Sequence, residues 1–253
     1  MNKKKPQFSV ISVCWNEGES IRRTCESIRT QNHNNFEWIV IDGKSTDSTL
    51  DILNKYSTEI STLISEPDYG IYNAMNKGIE LAKGDYLVFL NGGDQFCNNE
   101  TLNLIATAPQ MDIIYGNLIT THSNGTEIVE TFPDKLEPNY LLWGWLPHPA
   151  SFIRQRLFND FGIYDESFQI AGDYDLFARF LSHNSTTHHH INQPLSIFST
   201  GGISTNPSHR KQLDKERHLI RKKYFRSYRW SLKGIRREIR QLVSDATFKL
   251  FHF

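Results

Sequence analysis

Short apolar runs alternate with amphipathic stretches through the first hundred residues. Phe8 to Val13 reads as a strand that ends in Cys14-Trp15-Asn16-Glu17-Gly18. From Glu19 to Arg29 the apolar residues Ile21, Cys25 and Ile28 fall on one helical face. Glu37 to Ile41 predicts a second strand, ending at Asp42-Gly43-Lys44-Ser45-Thr46-Asp47. A helix is predicted from Ser48 to Tyr56, with Ser45 or Asp47 able to cap it. Ser61 to Ile64 is a candidate third strand, and Gly70 to Ala82 carries Ile71, Met75, Gly78 and Ile79 at helical spacing. Tyr86 to Leu90, apolar with β-branched and aromatic residues, predicts a buried strand that stops in Asn91-Gly92-Gly93-Asp94.

This β-α alternation predicts an α/β fold: a Rossmann-like, mostly parallel sheet with helices on both faces. The second half is less regular. Met111 to Tyr115 and Thr126 to Glu130 read as strands, with Asn124-Gly125 a turn signal between them. A helix begins near Asp173 and runs to about Ser182. His188-His189-His190 falls in a strand-like stretch where adjacent residues face opposite ways, so a shared metal is not expected.

The polar clusters add chemistry to this frame. Asn16-Glu17, Asp42 and Asp94 each fall at the carboxyl end of a predicted strand, where open α/β sheets bind ligands. A carboxylate displayed by two glycines at Asp94 suits a hard divalent cation bridging to a phosphate; it also suits a helix cap before Thr101. The first turn has neither Gly-x-Gly-x-x-Gly nor Gly-Lys-Ser/Thr, so a nucleotide on this rim would be held by side chains and metal. Asp173 and Asp175 lie in the first turn of their helix, where the dipole favours carboxylates.

The 253 residues, 38% hydrophobic and 22% charged, describe a soluble globular chain with one sizeable core. The zero net charge conceals an asymmetry. Residues 1–208 hold 14 Lys and Arg against 24 Asp and Glu, and residues 209–253 hold 14 against 4. We therefore divide the chain into an acidic body, 1–208, and a basic tail, 209–253. In the tail, Ile220, Tyr224, Tyr228, Leu232, Ile235, Ile239 and Leu242 form one apolar stripe at spacings of three and four. Basic residues fill the other positions, the pattern of an amphipathic helix for an anionic membrane face or for the acidic body. The acidic body excludes a nucleic-acid partner. No apolar run is long enough to span a bilayer, Met1 to Pro6 leads into no signal-type core, and the three cysteines form no framework, so a cytoplasmic setting is expected.

Four motifs follow in order: Val13-Cys14-Trp15-Asn16-Glu17, Asp42-Gly43-Lys44-Ser45-Thr46-Asp47, the segment from Glu66 to Gly78, and Leu90-Asn91-Gly92-Gly93-Asp94. Together they resemble family 2 glycosyltransferases, with most likeness to bacterial enzymes of colanic acid and other surface-polysaccharide synthesis. The likeness runs from about Phe8 to Tyr224. It implies a GT-A fold, a UDP- or GDP-sugar donor, Mn²⁺ or Mg²⁺, inversion at the anomeric carbon, and a saccharide or lipid-linked saccharide acceptor. Such an acceptor would place the protein at the cytoplasmic face of the inner membrane. Carried over, Asn16 and Glu17 hold the nucleoside, Asp42 bonds the base, Asp68 lines the nucleotide pocket, and Asp94 takes the last position of the metal-binding Asp-x-Asp motif. Asn76, Lys77, Asn91 and His148 complete the expected donor contacts. Gly201 to Asn206 resembles a mobile loop from which His209 or Arg210 reaches the diphosphate. The family's Glu-Asp pair, which supplies the general base, reads Gly172-Asp173 here, so Asp173 is the expected base and Asp175 a capping or solvent-facing charge. Two departures stand out: only Asp94 remains of the metal carboxylates, and Asp-Gly-Lys replaces Asp-Asp-Gly at the base. A non-catalytic sugar-nucleotide or glycan-binding module on the same fold would tolerate the first departure.

Overall fold

The computed structural model describes residues 5–137, 139–202 and 204–225. Four parallel strands form one half of the sheet: β1 (Phe8–Cys14), β2 (Phe36–Asp42), β3 (Thr62–Ser65) and β4 (Tyr86–Phe89). Helices α1 (Ser20–Arg29), α2 (Thr49–Asn54) and α3 (Ile71–Leu81) make the crossovers. Every residue of β1 is buried, as expected of a strand covered on both faces. Its two serines are satisfied: Trp38 Nε1 donates to Ser12 Oγ at 3.1 Å, and Ser9 Oγ donates to Glu37 at 2.6 Å.

The remaining elements are β5 (Gln95–Phe96), α4 (Thr101–Thr107), β6 (Ile113–Thr121), β7 (Glu127–Glu130), β8 (Ser151–Arg154), α5 (Gln155–Phe161), α6 (Gly172–Leu181), β9 (His188–Ser199) and α7 (Arg210–Tyr224). The sheet order is β3-β2-β1-β4-β8-β6-β9-β5, with β7 paired to β6. β8 runs antiparallel to β4 and to β6, so it is the one reversed strand between two that share a direction. The chain order switches sides of the sheet between β1 and β4, and open α/β sheets have their binding crevice beyond the carboxyl ends of the strands at such a switch.

The alternating half matches its periodicity to within a residue or two. In the second half the pattern does not reveal β8 and α5, because Ser151 to Phe161 is a strand and a helix joined with no turn signal. β6 extends six residues past its apolar start, because β9 pairs along its whole length through a bulge at Gly116 to Leu118. Two of the three histidines of β9 are spent on loops. His188 Nε2 accepts from the Leu136 N–H at 3.1 Å, and His190 Nδ1 meets Asp134 at 2.7 Å.

The start of the basic segment packs on the body. Ile220, first residue of the apolar stripe, is fully buried, and α7 lies against α6. The stripe from Tyr228 to Leu242 lies outside the described residues. No helix among the described residues is long and apolar enough to cross a membrane.

Candidate active site

The ends of β1, β2 and β3 are level, since Cys14 pairs with Asp42 and Asp42 with Ser65. The loops that leave them are sewn together by polar side chains. Asn16 adopts the left-handed region (φ 53°), which Asn tolerates, and its side-chain oxygen accepts the Thr46 N–H at 2.8 Å. Asp42 is wholly buried and accepts from the Ser45 N–H at 3.0 Å, the Ser45 hydroxyl, and the Ser65 hydroxyl at 2.6 Å. Its carboxylate shapes the loop from within, where sequence had suggested a direct bond to the base.

Above Asp42 the surface is built by Trp15, Gly43 and Asp68. Trp15 is 67% exposed. The Cβ direction of Gly43 points between the Trp15 side chain, 3.4 Å away, and Asp68 Oδ2, 3.1 Å away. Asp68 is paired with Lys77 at 2.6 Å, and Lys77 also reaches Glu66 at 2.7 Å. Trp15 has no assigned role in the motif likeness, although a large aromatic directly after a rim strand is a signal for such a surface. Asn76 is placed elsewhere: it is buried, donating to the Tyr164 carbonyl and accepting the Tyr164 N–H at 2.9 Å. It fixes the segment beyond α5. Arg210 stands exposed at the start of α7.

The strand-end turn after β4 holds the second cluster. Asp94 is 3% exposed, and α4 begins only after Glu100, so Asp94 is not its cap. Burial first, then the nearby Glu17 charge, raises the Asp94 carboxyl to about 7, although His148 and backbone N–H groups pull the other way. Burial likewise raises Glu17, whose Oε2 accepts from Ser20 Oγ at 2.8 Å. Glu17 lies across Gly92: a Cβ there would stand 2.5 Å from Glu17 Cγ and 3.1 Å from Oε1. A side chain at position 92 would displace that of Glu17, whose carboxylate lies beside the turn leading to Asp94.

His148, in a 3-10 turn (His148–Ala150), joins this cluster to α6. Its Nε2 is 3.3 Å from Asn91 Nδ2, and its Nδ1 is 3.6 Å from Asp173 Oδ2. Asp173, with 29% of its side chain exposed, accepts the Tyr174 N–H at 2.8 Å through its other oxygen. The stacked rings of Tyr72 and Tyr164 lie in the buried layer beside it. A Cβ at Gly172 would stand 2.7 Å from the Tyr72 ring, which explains why no Glu precedes Asp173. Burial raises both phenols well above their ordinary value, with the Asp173 charge adding to it, so neither competes for a proton. Asp175 is not the solvent-facing charge expected: it is wholly buried between Arg179 at 3.2 Å and Lys223 at 3.4 Å.

The donor set suits a divalent cation only in part. Asn91 Oδ1 is buried beside the cluster with no hydrogen-bond partner among the described residues, and Asp94 and Glu17 are both held at raised pKa by burial. No group of three or more His, Cys, Asp or Glu placed to hold a metal occurs among the described residues. These residues fit a cation that also takes oxygens from a bound diphosphate, because a six-coordinate ion needs more ligands than two carboxylates provide.

Residues 9–168 match the family model for glycosyl transferase family 2. A PGL/p-HBAD biosynthesis glycosyltransferase of Mycobacterium bovis is 29% identical over 207 residues, 79% of each chain. A Bacillus subtilis glycosyltransferase named for teichuronic acid biosynthesis is 36% identical over 99 residues, 38% of this chain and 39% of that one. Among solved structures, Staphylococcus aureus TarS 1-349 in complex with UDP-GlcNAc superposes with a TM-score of 0.68 at 19% identity, covering 85% of this chain and 65% of that longer one. The Pyrobaculum calidifontis mannosyltransferase PcManGT, in complex with GDP-Man and Mn²⁺, gives 0.60 at 14% identity, covering 98% and 82%. These likenesses show the GT-A fold.

Proposed function

The chain belongs to glycosyl transferase family 2, and from that membership we propose that it transfers a sugar, with inversion, from a UDP- or GDP-sugar to a hydroxyl of a saccharide or lipid-linked saccharide. The pathway we propose is surface-polysaccharide synthesis, supported by the motif likeness and by the Bacillus relative's name. The observation that supports the reading most is His148, which stands 3.6 Å from Asp173 and close enough to Asp94 to act on its carboxyl.

The rim divides the work. Trp15 offers a face for the base, with Asp68 beside it, and Asn16 and Asp42 hold the loops that present them. Asp94, with Glu17 beside it, would hold Mn²⁺ or Mg²⁺ together with the donor diphosphate, which supplies Lewis-acid stabilisation of the departing charge. Asn91 and His148 face the sugar between the two clusters. The acceptor oxygen attacks the anomeric carbon from the side opposite the diphosphate. Its proton passes to Asp173, the new carbon–oxygen bond forms, and the nucleoside diphosphate leaves with the bonding pair. Attack from the opposite face inverts the centre. The charge that builds on the sugar resembles that of glycoside hydrolysis.

A thermal-shift screen of UDP- and GDP-sugars with Mn²⁺ tests this directly. At 100 times Kd a donor should raise Tm by about 5–10 °C. The stabilising donor should then be hydrolysed slowly when no acceptor is supplied. Stabilisation without any release of nucleoside diphosphate would instead favour a binding module, for which the loss of a carboxylate at Gly92 speaks.

The basic segment completes the proposal by bringing the enzyme to an anionic membrane surface, where a lipid-linked acceptor resides. On α7, Lys211, Lys215 and Leu219 are exposed while Ile220 faces the body. Neutralising Arg226, Arg229, Lys233, Arg236, Arg237 and Arg240 should abolish sedimentation with phosphatidylglycerol vesicles at low salt. Unchanged sedimentation would rule the membrane role out.

A further inference from the structure

We infer that Glu216 is a positioning residue for the reaction, holding the segment that carries Asp173; this rests on the reading of Asp173 as the base. α6 starts at Gly172 after Ala171, and no side chain caps it locally. The backbone N–H groups just before it still need acceptors. They find them on a helix more than forty residues away. Glu216 Oε1 accepts the Gln169 N–H at 3.0 Å, and Oε2 accepts those of Ile170 at 3.0 Å and Ala171 at 2.8 Å. Gln212 Nε2 donates to Oε1 at 2.8 Å, and the Glu216 residue is 3% exposed.

The opposite side of the same segment is held by α3. Tyr72 donates to the Ile170 carbonyl at 2.6 Å, Asn73 reaches Glu166 at 3.0 Å, and Asn76 holds Tyr164. Residues 164–171 are thus clamped between α3, which belongs to the nucleotide half, and α7. Asp173 lies two residues beyond the Glu216 contacts, so the carboxylate sets where the base stands relative to His148 and the crevice. α7 is therefore part of the catalytic arrangement and is not merely a leader into the basic segment. Positioning of this kind acts on the rate of the chemical step, because a displacement of about 1 Å can cost up to 10²-fold. Donor affinity depends on the β1–β4 rim and should not follow.

The test uses the full chain and hydrolysis of the stabilising nucleotide sugar, with water as the acceptor. Glu216→Gln keeps the shape but turns an amide toward backbone donors. We expect kcat to fall about tenfold with donor KM within twofold, and amide exchange at residues 169–171 to accelerate while β1–β4 stay protected. Because Glu216 acts through Asp173, Asp173→Asn/Glu216→Gln should be no slower than Asp173→Asn alone. Multiplying losses, or a fall in kcat matched by a rise in KM, would overturn the positioning role. Normal kcat in Glu216→Gln beside an impaired Asp173→Asn strikes that role alone. Normal hydrolysis in Asp173→Asn strikes the base assignment and the proposal with it. If Glu216→Gln does not fold, Gln212→Leu, which frees the carboxylate on one side, should show the same split at about threefold, and an unchanged kcat there counts against the proposal.

Discussion

Asp173→Asn should lower turnover by at least about 10²-fold while donor affinity stays within about twofold. The Asn side chain keeps the size of the carboxylate and its acceptor for the Tyr174 N–H, but it cannot take a proton from the acceptor hydroxyl. The two phenols beside it offer no substitute. Tyr72 and Tyr164 are held protonated by burial, and Tyr72 already donates to the Ile170 carbonyl. Asp175 provides the control. Two residues apart on a helix project about 200° from one another, and Asp175 points into the protein against Arg179 and Lys223. Asp175→Asn should therefore cost stability. Removing one partner of a buried pair costs about 3–5 kcal/mol in general. Here the cost should be about 1–3 kcal/mol, because Lys223 is half exposed and Arg179 keeps two carbonyl partners. Its turnover below the melting range should change less than about threefold. If Asp175→Asn abolishes transfer and Asp173→Asn spares it, the assignment is reversed.

Asp94→Asn should cost at least about 10²-fold in transfer, since several kcal/mol of transition-state stabilisation depend on the charge held there. The same substitution should make the metal-free protein more stable near neutral pH. Asp94 titrates near 7 in the fold against 3.8 ordinarily, for reasons of burial and the Glu17 charge. Between those values the folded protein holds a proton that the unfolded chain has released. Stability contributed by that proton is present below about pH 4 and is lost as pH rises through about 7. At pH 8 the wild type carries the full cost of a buried charge, which Asn removes, worth about 2–4 kcal/mol. Asp94→Asn should melt several degrees higher than wild type at pH 8, and the two should converge near pH 4. A variant that melts lower at pH 8 and transfers normally would contradict both parts. The functional site is thus expected to be a stability liability that donor and cation relieve on binding, in keeping with the general trade between stability and activity.

Much of this molecule is legible in its sequence, and the legible part is local. The strands β1 to β4 and helices α1 to α3 follow from hydrophobic period, and the glycines and polar turn residues mark where each strand ends. That placed Asp94 at a strand end and Asp173 in a helix's first turn without any tertiary information, because both facts depend on neighbours a few residues away. The order of four motifs then identified the family. What the pattern could not show is which polar side chains face outward and which are consumed within the fold. Asn16, Asp42 and Asn76 carry the expected identities, yet Asp42 and Asn76 are buried on partners up to 88 residues distant, and Asn16 ties its loop to Thr46. Glu17 comes to lie against Gly92 only because two strand-end loops meet. β8 is inserted between β4 and β6 by pairing that no local period encodes. Glu216 reads in sequence as one charge on a basic helix, and the structure makes it the acceptor for three N–H groups ahead of α6. Burial of apolar residues selects secondary structure through spacing along the chain. The partner of a polar group is selected by geometry, because a buried donor or acceptor must be satisfied by whatever group the packed fold brings within about 3 Å.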